Sequence, residues 1–68
     1  MKIRFVKACV VEVQKARLNE TWDKGFNRWD ELYVESLHYP NPKIANVITR
    51  EGDILVEVPI NAFEVVAV

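Results

Sequence analysis

Cys9, Ser36 and His38 are the residues in this 68-residue chain whose types could support nucleophilic chemistry, and each stands nearly alone. The chain has one cysteine and one histidine. A Cys9–His38 pair would need an exposed thiolate and a third group to orient the imidazole. Cys9 instead sits between Ala8 and Val10 in a β-branched run, where a thiol usually packs as a small apolar side chain. Ser36 and His38 are two residues apart and share one face of any strand, but no third partner follows from the spacing. Asp23, Asp30, Glu31 and Glu35 match no metal-ligand pattern, and the single His and Cys cannot complete one. Gly25 and Gly52 are the only glycines, too few for a phosphate-cradling loop. The expectation is no catalytic residue, no metal and no cofactor.

Binding chemistry is better represented. Trp22, Phe26 and Trp29 are large apolar groups set among Asp, Lys, Asn and Arg. Tryptophan and arginine are enriched among residues that anchor interfaces, so Trp22, Phe26, Arg28 and Trp29, with Tyr39 from a later turn, form a candidate partner-binding set. The competing role is core: a domain this small needs bulky side chains to fill its interior. Both tryptophans cannot easily enter so small an interior, so at least one is expected to be partly exposed. A second set, Lys15, Arg17, Lys24 and Arg28, interleaves with the same aromatics as a single-strand nucleic-acid surface would require. The isoelectric point near 5.7 argues against that use.

These residues must be positioned by short strands. Ile3, Phe5, Cys9, Val11 and Val13 share one parity, which predicts a long strand from Ile3 to Val13, with Lys7 interrupting its apolar face. Glu31–Tyr39, Ile44–Thr49, Ile54–Val58 and Phe63–Ala67 read as four more strands. Tyr39-Pro40-Asn41-Pro42 should stop the second strand, because two prolines remove ladder donors. Arg50-Glu51-Gly52-Asp53 predicts a hairpin turn with Gly52 at positive φ. Pro59-Ile60-Asn61-Ala62 predicts one tight turn, and the last strand is expected to pair beside the first. Residues 14–30 are ambiguous. Leu18, Trp22, Phe26 and Trp29 step by four, four and three, a helical stripe, which a short helix ending near Lys24 and capped by Gly25 would satisfy. A long folded loop with its aromatics tucked inward is the alternative.

The strand order, with a long first loop and the segment Pro59-Ile60-Asn61-Ala62-Phe63, resembles the Src-homology-3-like small barrel. In that family a Pro-x-Asn-Tyr-Val segment precedes the last strand. The resemblance implies a mostly-β, five-stranded antiparallel barrel spanning 1–68 as one domain. Residues 14–30 would stand where the family has its RT loop, and Tyr39 to Lys43 where it has its n-Src loop. It does not imply proline-rich ligands: Ala62 stands where the family's groove-lining Tyr would be, and neither the Ala-Leu-Tyr-Asp-Tyr opening nor a Trp-Trp pair is present.

Composition sets the remaining bounds. The net charge is −1, but Met1–Arg28 holds seven basic residues against three acidic (+4) and Trp29–Val68 two against seven (−5). A basic half could steer an acidic partner, or the halves could neutralise each other in the fold. A lone cysteine allows no internal disulfide, and no signal-like or membrane-spanning run is legible, so a cytoplasmic location is expected. The leading reading is a non-enzymatic protein-interaction module using its aromatic-rich loop. The alternatives are a nucleic-acid-binding accessory protein and a small phage- or plasmid-type inhibitor of a host enzyme. Homo-oligomers through open strand edges also remain open.

Overall fold

Apolar residues at alternate positions, punctuated by Pro, Asn and Gly, favour strands and tight turns over helices, and strands dominate the molecule. The computed structural model describes residues 1–15 and 18–68. Seven strands follow in chain order: β1 (Lys2–Phe5), β2 (Cys9–Lys15), β3 (Glu20–Phe26), β4 (Glu31–Asn41), β5 (Ile44–Thr49), β6 (Asp53–Pro59) and β7 (Phe63–Ala67). A 3-10 turn, Ile60–Ala62, precedes β7. The strands form one antiparallel sheet in the order β3-β2-β6-β5-β4-β1-β7, with β3 and β7 as its two edges.

The count of seven corrects the expected five, and both additions have local causes. The predicted strand from Ile3 to Val13 is two strands separated at Val6–Ala8. Lys7 has the inward parity, and a charge cannot follow Ile3 and Phe5 into the core without a partner. The chain bends there, leaves Lys7 exposed, and carries β2 to the opposite half of the sheet. The ambiguous segment supplies β3, so both the short helix and the irregular loop are overturned over the described residues. Glu20–Phe26 pairs along its whole length with Cys9–Lys15, from Cys9↔Phe26 to Lys15↔Glu20. Gly25 is no cap but a strand residue opposite Val10.

The turns follow their residues closely. Gly52 has φ +90° and its N–H reaches the Thr49 carbonyl at 3.0 Å, closing the β5–β6 hairpin. At the β4–β5 hairpin the strand runs on through Pro40 to Asn41, beyond the stop expected at Tyr39, after a bulge between His38 and Asn41. The turn is Pro42-Lys43, where the Lys43 N–H donates to Asn41 Oδ1 at 2.8 Å. β7 lies antiparallel beside β1, with Ile3 opposite Val65. This is the expected pairing of last strand with first.

The core takes Ile3 and Phe5 from β1, Val11 and Val13 from β2, Phe26 from β3, Val34 from β4, Ala45 and Val47 from β5, Leu55 and Val58 from β6, and Phe63 from β7. Every strand contributes, so the sheet curls around one apolar interior. Met1, Cys9, Leu32, Leu37 and Ile60 pack partly buried against it.

Candidate functional site

The chemistry-bearing residues stay apart. Ser36 Oγ and His38 Nε2 lie 3.2 Å from each other on the surface of β4, and no acidic side chain orients the ring among the hydrogen bonds of the described residues. Cys9 begins β2, half-buried against the core, and burial pushes its thiol above the ordinary range while Lys7 pulls it part of the way back. A neutral, half-buried thiol is a poor nucleophile. Among the described residues no three His, Cys, Asp or Glu groups converge as metal ligands. Of the acidic residues named above, Glu31 pairs with Lys2 at 3.3 Å. Asp30 Oδ2 accepts the Asn27 N–H at 2.7 Å.

The three aromatics separate into three environments. Phe26 is core: only 5 % exposed, its ring stacks on Phe5 with centroids 4.4 Å apart and planes 12° from parallel. Trp22 shares its face of β3 with Lys24 and Phe26, opposite the buried Val13, and is 38 % exposed at the rim of a recess. Trp29 lies outside the strand. It sits in the turn Asn27–Asp30, closed by the Asp30 N–H to the Asn27 carbonyl at 3.1 Å. Its φ is +76°, a left-handed conformation at a turn position that usually takes Gly or Asn.

That conformation is held from both sides. The Trp29 N–H donates to the Phe5 carbonyl at 2.7 Å, and the Phe5 N–H to the Asp30 carbonyl at 2.8 Å. The indole is 54 % exposed, with the Arg28 guanidinium 4.4 Å and the Arg4 guanidinium 5.5 Å from its ring centroid. Arg4 also donates from Nε to Glu64 Oε1 at 3.2 Å, which aligns its plane. Two residues along β1, Lys2 lies opposite Tyr33 with its ammonium 5.7 Å from that ring, and Arg50 covers Tyr33 at 4.9 Å. Arg28, Trp29, Arg4, Lys2, Tyr33 and Arg50 therefore form one run of cations and aromatic rings, in which Lys2 and Arg4 are half-buried and the rest exposed. Sequence reasoning singled out only Arg28 and Trp29 of these. The alternation of Lys2 and Arg4 against Ile3 and Phe5 was the available signal for the rest.

Tyr39 is exposed but lies near the far end of β4, whereas Trp29 precedes its start. The two are not brought together at one end. Nor do the basic residues of the second set make a stripe. Lys15 ends β2, Lys24 lies mid-β3 with its ammonium 5.3 Å from the Phe26 ring, and Arg28 occupies the turn beyond the other end of β3. Arg17 lies outside the described residues.

No protein-family model matches this chain, and no curated protein or solved structure is significantly similar to it. No helix is long and apolar enough to cross a membrane among the described residues.

Proposed function

We propose that this chain is a non-enzymatic binding module that grips a protein partner through Trp29, flanked by Arg28 and Arg4, with Tyr33 extending the contact along the same face. The observation that carries this reading is the conformation of Trp29. A bulky residue at positive φ costs about 1 kcal/mol or more, yet the turn holds a half-exposed indole there against two guanidinium groups. Strain spent on presenting a side chain, rather than burying it, fits an anchor better than a spacer. Tryptophan and arginine are also the residue types that most often dominate interface energetics. As for the fold, the kinship we infer with Src-homology-3-like small barrels rests on the hairpin β2–β3 in the position of the long first loop, the 3-10 turn before β7 and the pairing of β1 with β7; the sheet itself has seven strands and is not closed between β3 and β7.

A nucleic-acid reading has one observation in its favour, the alternation of Lys2, Arg4, Arg28 and Arg50 with Trp29 and Tyr33. Against it, Glu64 occupies Arg4 and Glu31 occupies Lys2. Those carboxylates would repel a phosphate backbone.

The test is a capture from native lysate with the wild-type chain and with Trp29→Ala, each first shown to be folded by circular dichroism. The partner should be retained by the wild type, and its affinity should fall by about 30-fold or more with the variant, the about 2 kcal/mol expected of an anchor. Equal affinity of both proteins for the partner would remove Trp29 from the site. Steep, log-linear loss of an oligonucleotide with salt would favour the nucleic-acid reading instead.

A further inference from the structure

The cations around Trp29 and Tyr33 are not equally engaged. In the middle of the run the charges cancel: Arg4 pairs with Glu64, and Lys2 pairs with Glu31 at 3.3 Å. At its two ends they do not. Arg28 and Arg50 are exposed, and neither guanidinium makes an ion pair among the described residues. Each lies over a ring instead, Arg28 4.4 Å from the Trp29 centroid and Arg50 4.9 Å from that of Tyr33. Asp30 and Glu51 are the nearest acidic residues along the chain. Asp30 Oδ2 accepts the Asn27 N–H at 2.7 Å, and Glu51 forms no ion pair among the described residues. β1 joins the two ends. Arg4 is the second cation at the Trp29 ring, Lys2 is the second at Tyr33, and the two stand two residues apart on one face of the strand.

We propose that Arg28 and Arg50 receive two carboxylates of an acidic segment of the partner protein, separated by a short apolar stretch that lies across Trp29 and Tyr33. The proposal rests on Trp29 as the anchor and adds the chemistry of what it grips. Three features select that chemistry. A guanidinium resting on a ring face keeps its fork of N–H donors unused, and that fork matches the two oxygens of a carboxylate. The ring also holds a long side chain in place, so less freedom is lost on binding. The charge pattern along the run is positive, neutral, neutral, positive. A phosphate backbone carries a charge at every nucleotide and would meet Glu31 and Glu64 between the ends, whereas a peptide can place its charges at the ends alone. Between the two arginines lie the exposed rings of Trp29 and Tyr33, which suit an apolar side chain.

The spacing follows from the strand. The step from Arg4 to Lys2 is about 7 Å along β1, with a ring and a guanidinium beyond it at each end, so the carboxylates belong about four residues apart in an extended segment. The chain as a whole carries a net charge of −1. Attraction for an acidic peptide must therefore come from this local arrangement and not from the overall charge.

The experiment titrates the full chain, labelled with nitrogen-15, with the peptide acetyl-Glu-Ala-Leu-Ala-Glu-amide and with its analogue carrying Gln in place of both Glu, at constant low ionic strength. Saturable shifts of the Trp29 indole N–H and of the Arg28 and Arg50 Nε–H signals are expected with the Glu peptide. The Gln analogue should bind at least about tenfold more weakly, and Arg28→Gln and Arg50→Gln should each weaken the Glu peptide at least about threefold. Lys43→Gln removes an exposed cation at the β4–β5 turn, remote from the run, and should change nothing. No saturable response to the Glu peptide, or equal binding of the Glu and Gln peptides, overturns the proposal. So does an equal loss in Lys43→Gln, which would reduce the effect to net charge. Tighter binding of an oligothymidylate, falling steeply with salt, would assign the arginines to nucleic acid and overturn it too. Trp29→Ala separates this proposal from the anchor beneath it. Equal Glu and Gln binding that vanishes in Trp29→Ala fells the acidic partner and leaves the anchor, whereas a Glu preference at full affinity in Trp29→Ala supports the arginine pair and removes the anchor.

Discussion

Phe5 of β1 and Phe26 of β3 stack face to face at 4.4 Å although their strands stand sixth and first in the sheet order. Two hydrogen bonds, Trp29 N–H to the Phe5 carbonyl and Phe5 N–H to the Asp30 carbonyl, reinforce the same junction. The contact draws the β2–β3 hairpin across the interior and sets the position from which the Asn27–Asp30 turn projects Trp29. Core and candidate anchor are thus three residues apart in the chain and coupled through one strand of the fold.

Phe26 and Trp29 should accordingly respond in opposite ways to truncation. Phe26→Ala removes a buried ring and its stacking partner's contact, and should cost about 3–5 kcal/mol of unfolding free energy in a urea titration. A loss below about 1 kcal/mol would show that the ring is not core.

Trp29→Gly relieves the left-handed backbone while giving up only exposed contacts, so its stability should stay within about 1 kcal/mol of the wild type. Partner binding should be lost in the same variant. Unchanged binding combined with unchanged stability would show that the strained indole serves neither purpose.

The hairpin glycines make a matched pair. Gly52 has φ +90°, a conformation that an L side chain resists, so Gly52→Ala should destabilise by about 1 kcal/mol. A Cβ on Gly25 would meet nothing within 4 Å at ordinary φ, so Gly25→Ala should be neutral or stabilise by up to about 1 kcal/mol. Thermal midpoints of the two variants should move apart; movement in the same direction would contradict the turn geometry.

The Cys9 thiol is held protonated by burial, with Lys7 opposing the shift in part. Because its folded pKa is raised, this group's contribution to stability is fully present below the unfolded thiol value, about 8.5, and is lost as pH rises through the folded value. Denaturant midpoints should fall as pH rises past the unfolded thiol value, and the part of that fall due to the thiol should vanish in Cys9→Ala. A thiol reagent should label the native protein slowly and the unfolded protein fast. Rapid native labelling would instead reveal an accessible thiolate.

Strands and turns whose signals are local were legible from the residues alone. Gly52 called for a positive φ, Pro59–Ala62 broke the chain into one turn before Phe63–Ala67, and the shared parity of Ile3, Phe5, Val11 and Val13 marked the buried face even across the bend at Val6–Ala8. Residues 14–30 could not be read this way, for a definite reason. A spacing of four, as from Leu18 to Trp22 to Phe26, places residues on one face of a helix and also on one face of a strand. Only Trp29 breaks the even parity; it lies beyond β3, while Leu18 lies in the turn before it and Trp22 and Phe26 share one face of the strand. Whether that stretch coils or extends depends on a neighbour able to accept its backbone hydrogen bonds, and β2 is that neighbour. The same holds for the sites. Arg4, Lys2 and Arg50 reach the aromatic rings through strand pairings that join residues far apart in the chain. Local propensity carries no record of those pairings, which arise when distant strands meet in the folded sheet.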